Sequence, residues 1–205
     1  MTAAWERALA LGWESFCSGS QPIGAVVTDE RDHVVAEARS RRHDRAAPPG
    51  QLAGTRVAHA ELNALAQLPT NAYYSRHTLW ATVEPCCLCM GAAVQTGVGT
   101  VTFAWRDHYA GATAMVVDNP QMRLKGITVV GEPDPAVRWL AGVLLASSYA
   151  IDPSSRPHVI EPMREGHPDV FAYAERGDVI EILESSRDRG LTLDEMRVAL
   201  PKTQR

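Results

Sequence analysis

The segment HAELNALAQL, residues 59–68, places a histidine and a glutamate two positions apart at the beginning of a helical pattern. Its apolar residues recur every three or four positions, which is typical of a helix that packs one face against a core. His59 and Glu61 are either solvated residues at a helix N-terminus, where glutamate is stabilising, or half of a reactive site. The segment by itself does not decide between the two interpretations.

A second segment, EPCCLC at 84–89, holds three of the four cysteines of the chain. Near neighbours make a poor disulfide framework, so metal or redox chemistry is the better interpretation. On a helix that begins after Pro85, Cys86 and Cys89 share one face of the first turn, where the helix dipole favours thiolates. Cys87 lies about 100° around the helix and is predicted to be a small core residue. Alone, the segment fits a structural zinc site, a redox dithiol or coincidence.

A histidine that also begins a helix completes a candidate metal site. A structural zinc site needs four protein ligands, and the remaining cysteine, Cys17, lies in the first predicted helix. His59 is the natural third ligand, and three protein ligands leave the fourth position for water, as in catalytic sites. Two thiolates neutralise the charge of Zn²⁺, so the ion acidifies its water less strongly and a nearby base is needed. Glu61 can reach that water without binding the metal.

The order His59-Ala60-Glu61, then Pro85-Cys86-Cys87-Leu88-Cys89, matches the H-x-E and P-C-x-x-C pattern of zinc deaminases. The sequence resembles the cytidine and deoxycytidylate deaminase superfamily, and more closely its branch of tRNA adenosine deaminase and guanine deaminase. PIGAVV, HAELNAL, LWATVEPCCLCMGAAV and VTFAWRD carry this resemblance over about residues 1–150. It implies an α/β fold with three α/β/α layers, in which a mixed sheet of about five strands has helices on both faces.

The resemblance also implies roles for the site residues. His59, Cys86 and Cys89 would bind one Zn²⁺ per chain, and a zinc-activated water would replace an exocyclic amine and release ammonia. Glu61 would carry the protons, and the backbone N–H groups of Ala60 and Cys86 would support the developing charge. Relatives in this branch are commonly dimers, which predicts a homodimer.

Four further residues are predicted to contact the substrate. Ser40 stands where purine-deaminating relatives have an asparagine that contacts the base, and a hydroxyl cannot match the paired contact of an amide. The insertion that follows, residues 41–56, is predicted to reshape the pocket entrance. Asp107, His108 and Tyr109 align with a loop that borders the substrate in relatives, and their alternative interpretation is an ordinary polar turn.

The hydrophobic pattern predicts the order of helices and strands. Helices are predicted at 3–17, 58–68, 86–95, 135–150 and 169–186 and after Thr192, and strands at 23–28, 33–38, 78–83, 100–105 and 126–130. The first two strands are expected to form an antiparallel hairpin, and the helix–strand alternation after it indicates parallel pairing. Residues 39–57 are interpreted as a long irregular loop. We expect a deaminase domain over 1–150 and a C-terminal extension over 151–205, which begins as a proline-rich arm or linker and continues as helices.

Charge and composition narrow the range of partners. The 205 residues are 45% hydrophobic and 21% charged, and no apolar run approaches the roughly 20 residues of a membrane span. The amino terminus lacks the layout of a secretion signal, so a cytoplasmic location is expected. The net charge of −4 gives no broad attraction to nucleic acid. One basic cluster, ARSRRHDR at 38–45, is interpreted as a solvated loop in preference to a phosphate site.

The leading hypothesis is a zinc-dependent hydrolase that acts on the carbon–nitrogen bond of a cyclic amidine and deaminates a free nucleobase, nucleoside or related amino-heterocycle. The alternative is a tRNA adenosine deaminase, although an RNA substrate normally calls for a basic footprint. A zinc-stabilised binding module without catalysis is the third possibility. Glu61 argues against it, because a structural site has no need of that carboxylate.

Overall fold

A mixed sheet of five strands lies at the centre of the fold. The computed structural model describes residues 1–152, 154 and 156–202. Its strands are β1 (Gly24–Thr28), β2 (Val34–Arg39), β3 (Thr78–Val83), β4 (Thr100–Trp105) and β5 (Thr128–Gly131), in the spatial order β2-β1-β3-β4-β5. β1 is antiparallel to both β2 and β3, whereas β3, β4 and β5 are parallel. The predicted hairpin, parallel pairing and mixed sheet are confirmed.

Helices connect the strands and follow the sheet. They are α1 (Ala3–Cys17), α2 (Ala60–Leu65), α3 (Cys87–Thr96), α4 (Met115–Asp118), α5 (Pro120–Lys125), α6 (Pro135–Ile151), α7 (Pro157–Gly166), α8 (Pro168–Ala174), α9 (Gly177–Asp188) and α10 (Leu193–Ala199). α3 joins β3 to β4, and α4 with α5 joins β4 to β5, as parallel strands require. The sequence pattern does not predict α4 and α5, which are very short. Among the described helices, none is both long and apolar enough to cross a membrane.

The helices cover both faces of the sheet, and alternate strand residues divide between two hydrophobic cores. In β1, Val26 faces a core built with α1 and α6, whereas Ala25 and Val27 face a core built with α2 and α3. This division follows from the two-residue period of a strand. All three side chains are fully buried, as expected for a central strand covered on both sides. The predicted three-layer architecture is confirmed.

α1 approaches the beginning of β1 closely because position 24 is a glycine. A Cβ atom there would clash with the carbonyl oxygen of Ala8 and the backbone nitrogen of Gly12. β1 begins at the edge of the sheet where β3 ends, since the two strands are antiparallel with Ala25 opposite Ala81. The connection from α1 to β1 therefore lies beside the carboxyl ends of β3 and β4.

The described part of the C-terminal segment forms four helices that pack into the core of α1 and α6. Met163, Phe171, Leu183 and Met196, one from each of α7 to α10, are buried there. The predicted start of the last helix is confirmed, because Thr192 caps α10 in a capping box with Glu195. The segment after residue 151 thus shares a core with the preceding residues.

Two elements of this segment differ from the sequence prediction. The proline-rich stretch that was expected to be an arm or linker contains α7, and the single helix predicted over 169–186 is divided into α8 and α9. Pro157 and Pro168 occupy first-turn positions, where a helix does not need their missing N–H, so they begin helices. Arg176 has an extended backbone, with φ of −65° and ψ of 135°, and separates α8 from α9.

Candidate metal centre and adjoining cavity

Two helix N-termini meet where β3 ends. His59 precedes α2 and Cys86 precedes α3, and both are N-cap residues with an extended backbone. Neither side chain caps its own helix, so both are available to other groups. Cys89 lies in the first turn of α3 and is buried. α2 is shorter than the predicted helix over 58–68, but its beginning agrees with the prediction and positions His59.

The three potential ligand atoms form a nearly equilateral triangle. Nδ1 of His59 lies 3.6 Å from Sγ of Cys86 and 3.4 Å from Sγ of Cys89, and the two sulfurs are 3.6 Å apart. Zinc bonds of about 2.3 Å to sulfur and about 2.0 Å to nitrogen place the ligand atoms of a tetrahedral site roughly 3.5–3.8 Å apart. The triangle therefore fits Zn²⁺. It is the one such group of metal-ligating side chains in the part of the chain that the structure describes.

Hydrogen bonds among these three groups shift their pKa values in different directions. Hydrogen bonds from Cys89 and His59, which outweigh the effect of burial, lower the pKa of Cys86 to about 3. The Cys89 thiol hydrogen-bonds to Cys86, and this bond together with burial raises the pKa of Cys89. The bond to Cys86 also raises the pKa of His59. Cys86 is thus the first thiolate of the pair, and the set offers the soft sulfur and imidazole donors that zinc binds.

Cys87 does not join this group and does not lie in the core. It is exposed, so its prediction as a small core residue is wrong. The buried face of α3 is made by Cys89, Met90, Ala93 and Val94. At about 100° per residue, the centre of this buried face lies roughly a quarter turn around the helix from Cys87. Cys87, the first residue of α3, is therefore outside it.

Glu61 is a buried carboxyl group that shares a cavity with the metal triangle. It lies in the first turn of α2 and is 4% exposed. Burial raises its pKa. Together with His59 and Cys86 it lines a cavity of about 370 Å³, near the lower end of the roughly 300–1,000 Å³ of small-molecule sites. Ala60 is the first residue of α2, and Cys86 is the N-cap residue of α3. That their backbone N–H groups support the developing charge stays a prediction.

The walls of this cavity come from distant parts of the chain. The remaining lining residues belong to the α1–β1 connection, the loop after β2, the ends of β3 and β4, and the segment from α6 to α7. They are Gln21, Ile23, Arg42, Val83, Glu84, Asp107, Tyr109, Ala110, Leu145, Tyr149, Asp152, Ser154, Arg156 and Val159. The C-terminal segment therefore forms part of the site.

The structure brings two of the four predicted substrate residues to the cavity. Asp107 and Tyr109 line it. The ring of His108 instead lies 5.1 Å from the ring of His167, and Ser40 is not in the wall. Ser40 is 2% exposed, and its Oγ has no hydrogen-bond partner among the described residues. Contact of these four residues with a substrate stays a prediction.

Glu84, Tyr149 and Arg42 are among the lining residues that are not predicted from the sequence. Glu84 is buried, accepts hydrogen bonds from the backbone and hydroxyl groups of Thr113, and lies 3.6 Å from the guanidinium of Arg106. Its position next to Pro85-Cys86 is a signal that could have identified it. Tyr149, whose pKa burial raises, and Arg42 carry no comparable local signal, because only the tertiary fold brings them to the cavity.

The family of the chain follows from a match over its N-terminal half. Residues 2–105 match the family described as the cytidine and deoxycytidylate deaminase zinc-binding region. The match covers just over half of the chain and includes all three metal-triangle residues and Glu61. The chain belongs to this family. Within it, His59, Cys86 and Cys89 are arranged as a possible zinc site.

Three known proteins show how far the similarity extends. The tRNA(Ile)-lysidine synthase of Deinococcus radiodurans is 32% identical over 119 residues, which are 57% of this chain and 19% of that protein. The tRNA-specific adenosine deaminase of Haemophilus influenzae is 30% identical over 108 residues, which are 51% of this chain and 58% of that protein. The chain thus spans less than two thirds of either relative. The guanine deaminase structure from Nitrosomonas europaea has the same fold, with a TM-score of 0.51, 24% identity, and coverage of 71% of this chain and 82% of that chain.

Proposed function

We propose that the protein is a zinc-dependent deaminase that hydrolyses the exocyclic amine of a free nucleobase, a nucleoside or a related amino-heterocycle. The observation that carries the proposal is a buried carboxyl group, Glu61, in the wall of the same small cavity as His59 and Cys86. A purely structural zinc site needs no such carboxyl group, and it normally has four protein ligands. The triangle offers three, which leaves a coordination position for the reaction.

The chemistry divides between the metal and Glu61. Zinc bound at the triangle would supply an acidified water as the nucleophile. Glu61 would accept both protons of the attacking water, one on attack and one as the addition product collapses, and would deliver the first to the ring nitrogen and the second to the departing amine. Water and the amino-heterocycle are consumed, and ammonia and the carbonyl product are released. Because Glu61 is 4% exposed, bulk water has little access to the protons that it carries.

A tRNA adenosine deaminase is the second candidate. The observation that favours it is the 30% identity with the tRNA-specific adenosine deaminase of Haemophilus influenzae. The net charge of −4 weighs against it, because RNA-binding surfaces are usually basic. The guanine deaminase with the same fold acts on a free base, and it supports the leading proposal only as a structural precedent.

Metal analysis and ammonia release test the proposal. We expect about one zinc per chain and ammonia release from at least one compound in a panel of bases and nucleosides. The same protein is assayed with a tRNA anticodon stem-loop. Activity confined to the RNA would replace the leading proposal with the second candidate, and an active protein without metal would refute both.

The remaining features of the proposal concern assembly and organisation. We propose a cytoplasmic homodimer in which residues 1–150 form the deaminase domain and 151–205 form an extension. Light scattering of the purified protein tests the dimer. Removal of residues 151–205 tests the division into a deaminase domain and an extension. We expect a lower melting temperature for the truncated chain, because α7 to α10 bury apolar side chains against α1 and α6.

A further inference from the structure

The loop that follows β4 directs neighbouring side chains to opposite sides. Asp107 and Tyr109 line the cavity at the metal centre, whereas His108, which lies between them, does not. The Asp107 carboxylate accepts hydrogen bonds from the backbone N–H groups of Tyr109 and Ala110, at 2.9 and 2.8 Å. These bonds close a tight turn, so a shift of His108 would move Asp107 and Tyr109 with it.

His108 packs against the junction of α7 and α8, which lies outside the residues that match the family. The ring of His108 is 5.1 Å from the ring of His167, at an interplanar angle of 55°. His167 ends α7 and is the N-cap of α8. A Cβ atom on Gly166 would overlap the imidazole of His108, so the glycine makes room for that ring. The C-terminal helices thus contact the loop at the residue that faces away from the cavity.

His167 is itself fixed by the core beneath it. It is 9% exposed, and its ring lies 3.9 Å from the ring of Trp105, the last residue of β4. Trp105 is fully buried and packs over Gly142 of α6, where a Cβ atom would overlap the indole. Within the described part of the chain, Nε2 of His167 has no hydrogen-bond partner. We therefore expect the ring to act through packing, as a rigid support for His108.

A second contact joins the loop to α7. The ring of Tyr109 lies 5.8 Å from the ring of His158, in an edge-on arrangement. α7 thus reaches the loop near both its first and its last residue. At the far end of the loop, Glu84 accepts a hydrogen bond of 3.3 Å from the backbone N–H of Thr113. The C-terminal helices therefore hold the beginning of the loop, and Glu84 holds its end.

We propose that His167 is a positioning residue of the deaminase site, which holds His108 outside the cavity and thereby keeps Asp107 and Tyr109 in the cavity wall. This inference rests on the proposed deaminase function and applies to whichever heterocycle the cavity binds. The metal triangle and Glu61 belong to the beginnings of α2 and α3 and do not depend on this loop. Loss of the support should therefore weaken substrate binding and leave the chemical step largely intact.

Steady-state kinetics of His167→Ala test this role. The substrate is the compound on which the wild-type protein is most active, whether a base, a nucleoside or the tRNA anticodon stem-loop. We expect a roughly 10-fold higher KM, with kcat within about threefold of the wild type, because the cavity wall is displaced and the metal centre is not. His167→Phe restores a planar ring and should return KM to within about threefold of the wild-type value. A His167→Phe protein with the KM of His167→Ala would overturn the support by ring packing.

Two further variants separate positioning from stability. Gly166 is the exposed last residue of α7, and alanine favours a helix more than glycine does, so Gly166→Ala should not lower the melting temperature. Its methyl group would displace His108, so KM should still rise roughly 3- to 10-fold. Met196→Ala removes a fully buried side chain of α10 outside the cavity lining, and it should lower the melting temperature without changing KM. A KM that follows the melting temperature across these variants would overturn the inference.

The outcomes distinguish failure of the inference from failure of the proposed function. A normal KM in an active His167→Ala protein would overturn the positioning role and leave the deaminase intact. If the zinc-loaded protein deaminates nothing, hydrogen–deuterium exchange of the loop over residues 106–113 tests the support without catalysis. Faster exchange in His167→Ala, with no change in Met196→Ala, would support it. Exchange that His167→Ala leaves unchanged would overturn it.

Discussion

Replacement of Glu61 by glutamine is the most direct test of the chemistry. The two side chains have nearly the same shape, so Glu61→Gln preserves the packing of a residue that is 4% exposed. The amide cannot accept and return a proton as a carboxyl group does. The metal triangle of His59, Cys86 and Cys89 is unchanged. We therefore expect a folded, zinc-loaded protein that has lost turnover.

The size of the loss follows from the other acids in the cavity. Glu84 is engaged with Thr113 and lies near Arg106, and the Asp107 carboxylate accepts hydrogen bonds from two backbone N–H groups. Neither is free to replace Glu61. The full contribution of general acid–base catalysis, roughly 10²- to 10⁴-fold, should therefore disappear. This corresponds to about 3–5 kcal/mol in the activation free energy.

The assay compares kcat for ammonia release with zinc content and melting temperature in the same preparations. Glu165→Gln is the matched control, because Glu165 is an exposed glutamate of α7 outside the cavity, and it should retain normal turnover. A Glu61→Gln protein that binds one zinc and deaminates at a near-normal rate would refute the proton-transfer role. A variant that loses zinc would show that Glu61 supports the metal site instead.

Two more predictions concern the metal and the loop after β2. Cys89→Ser should reduce the zinc content of the purified protein well below one per chain, because a hydroxyl replaces a buried soft ligand of the triangle. Metal analysis measures this content, and a normal value would contradict the proposed zinc site. Asp44→Asn should destabilise the protein at pH 7 by roughly 1.5–3 kcal/mol in urea unfolding, because the Asp44 carboxylate pairs with Arg39 and Arg41. Although burial opposes them, these hydrogen bonds lower the pKa of Asp44. The stabilisation is therefore complete above the unfolded-state value of about 4 and is lost as the pH falls below it, so a difference that persists unchanged at lower pH would contradict this cause.

The sequence predicts the sheet well where strands are buried on both sides. The bounds of β3 and β4 match the predictions at 78–83 and 100–105, because a strand covered by two helix layers is a continuous apolar run between polar turns. The α1 helix also matches its prediction at 3–17. The C-terminal segment is less predictable, since its prolines occur both as helix starts and, at Pro162, inside α7. Only the tertiary packing distinguishes these uses from a linker.

The metal centre is predictable for a different reason. Its ligands belong to two short motifs, and each motif begins a helix, so local sequence determines where the side chains lie. Cys87 is the exception within them. A period of about 100° per residue separates it from Cys86 but does not reveal which side of α3 the core occupies. That side is set by Met90, Ala93 and Val94, whose burial depends on the sheet below.

The cavity is lined partly from within and partly from outside the residues that match the family. The zinc triangle and Glu61 lie within residues 2–105, which match the family. The same cavity is also lined by Asp107, Tyr149 and Arg156, which lie outside that match. The matched residues therefore do not include much of the cavity wall. The proposed deamination therefore rests on residues within the family match, whereas loops and C-terminal helices outside that match line much of the remaining cavity. A substrate panel that varies the group beyond the ring therefore probes the lining residues that lie outside the family match.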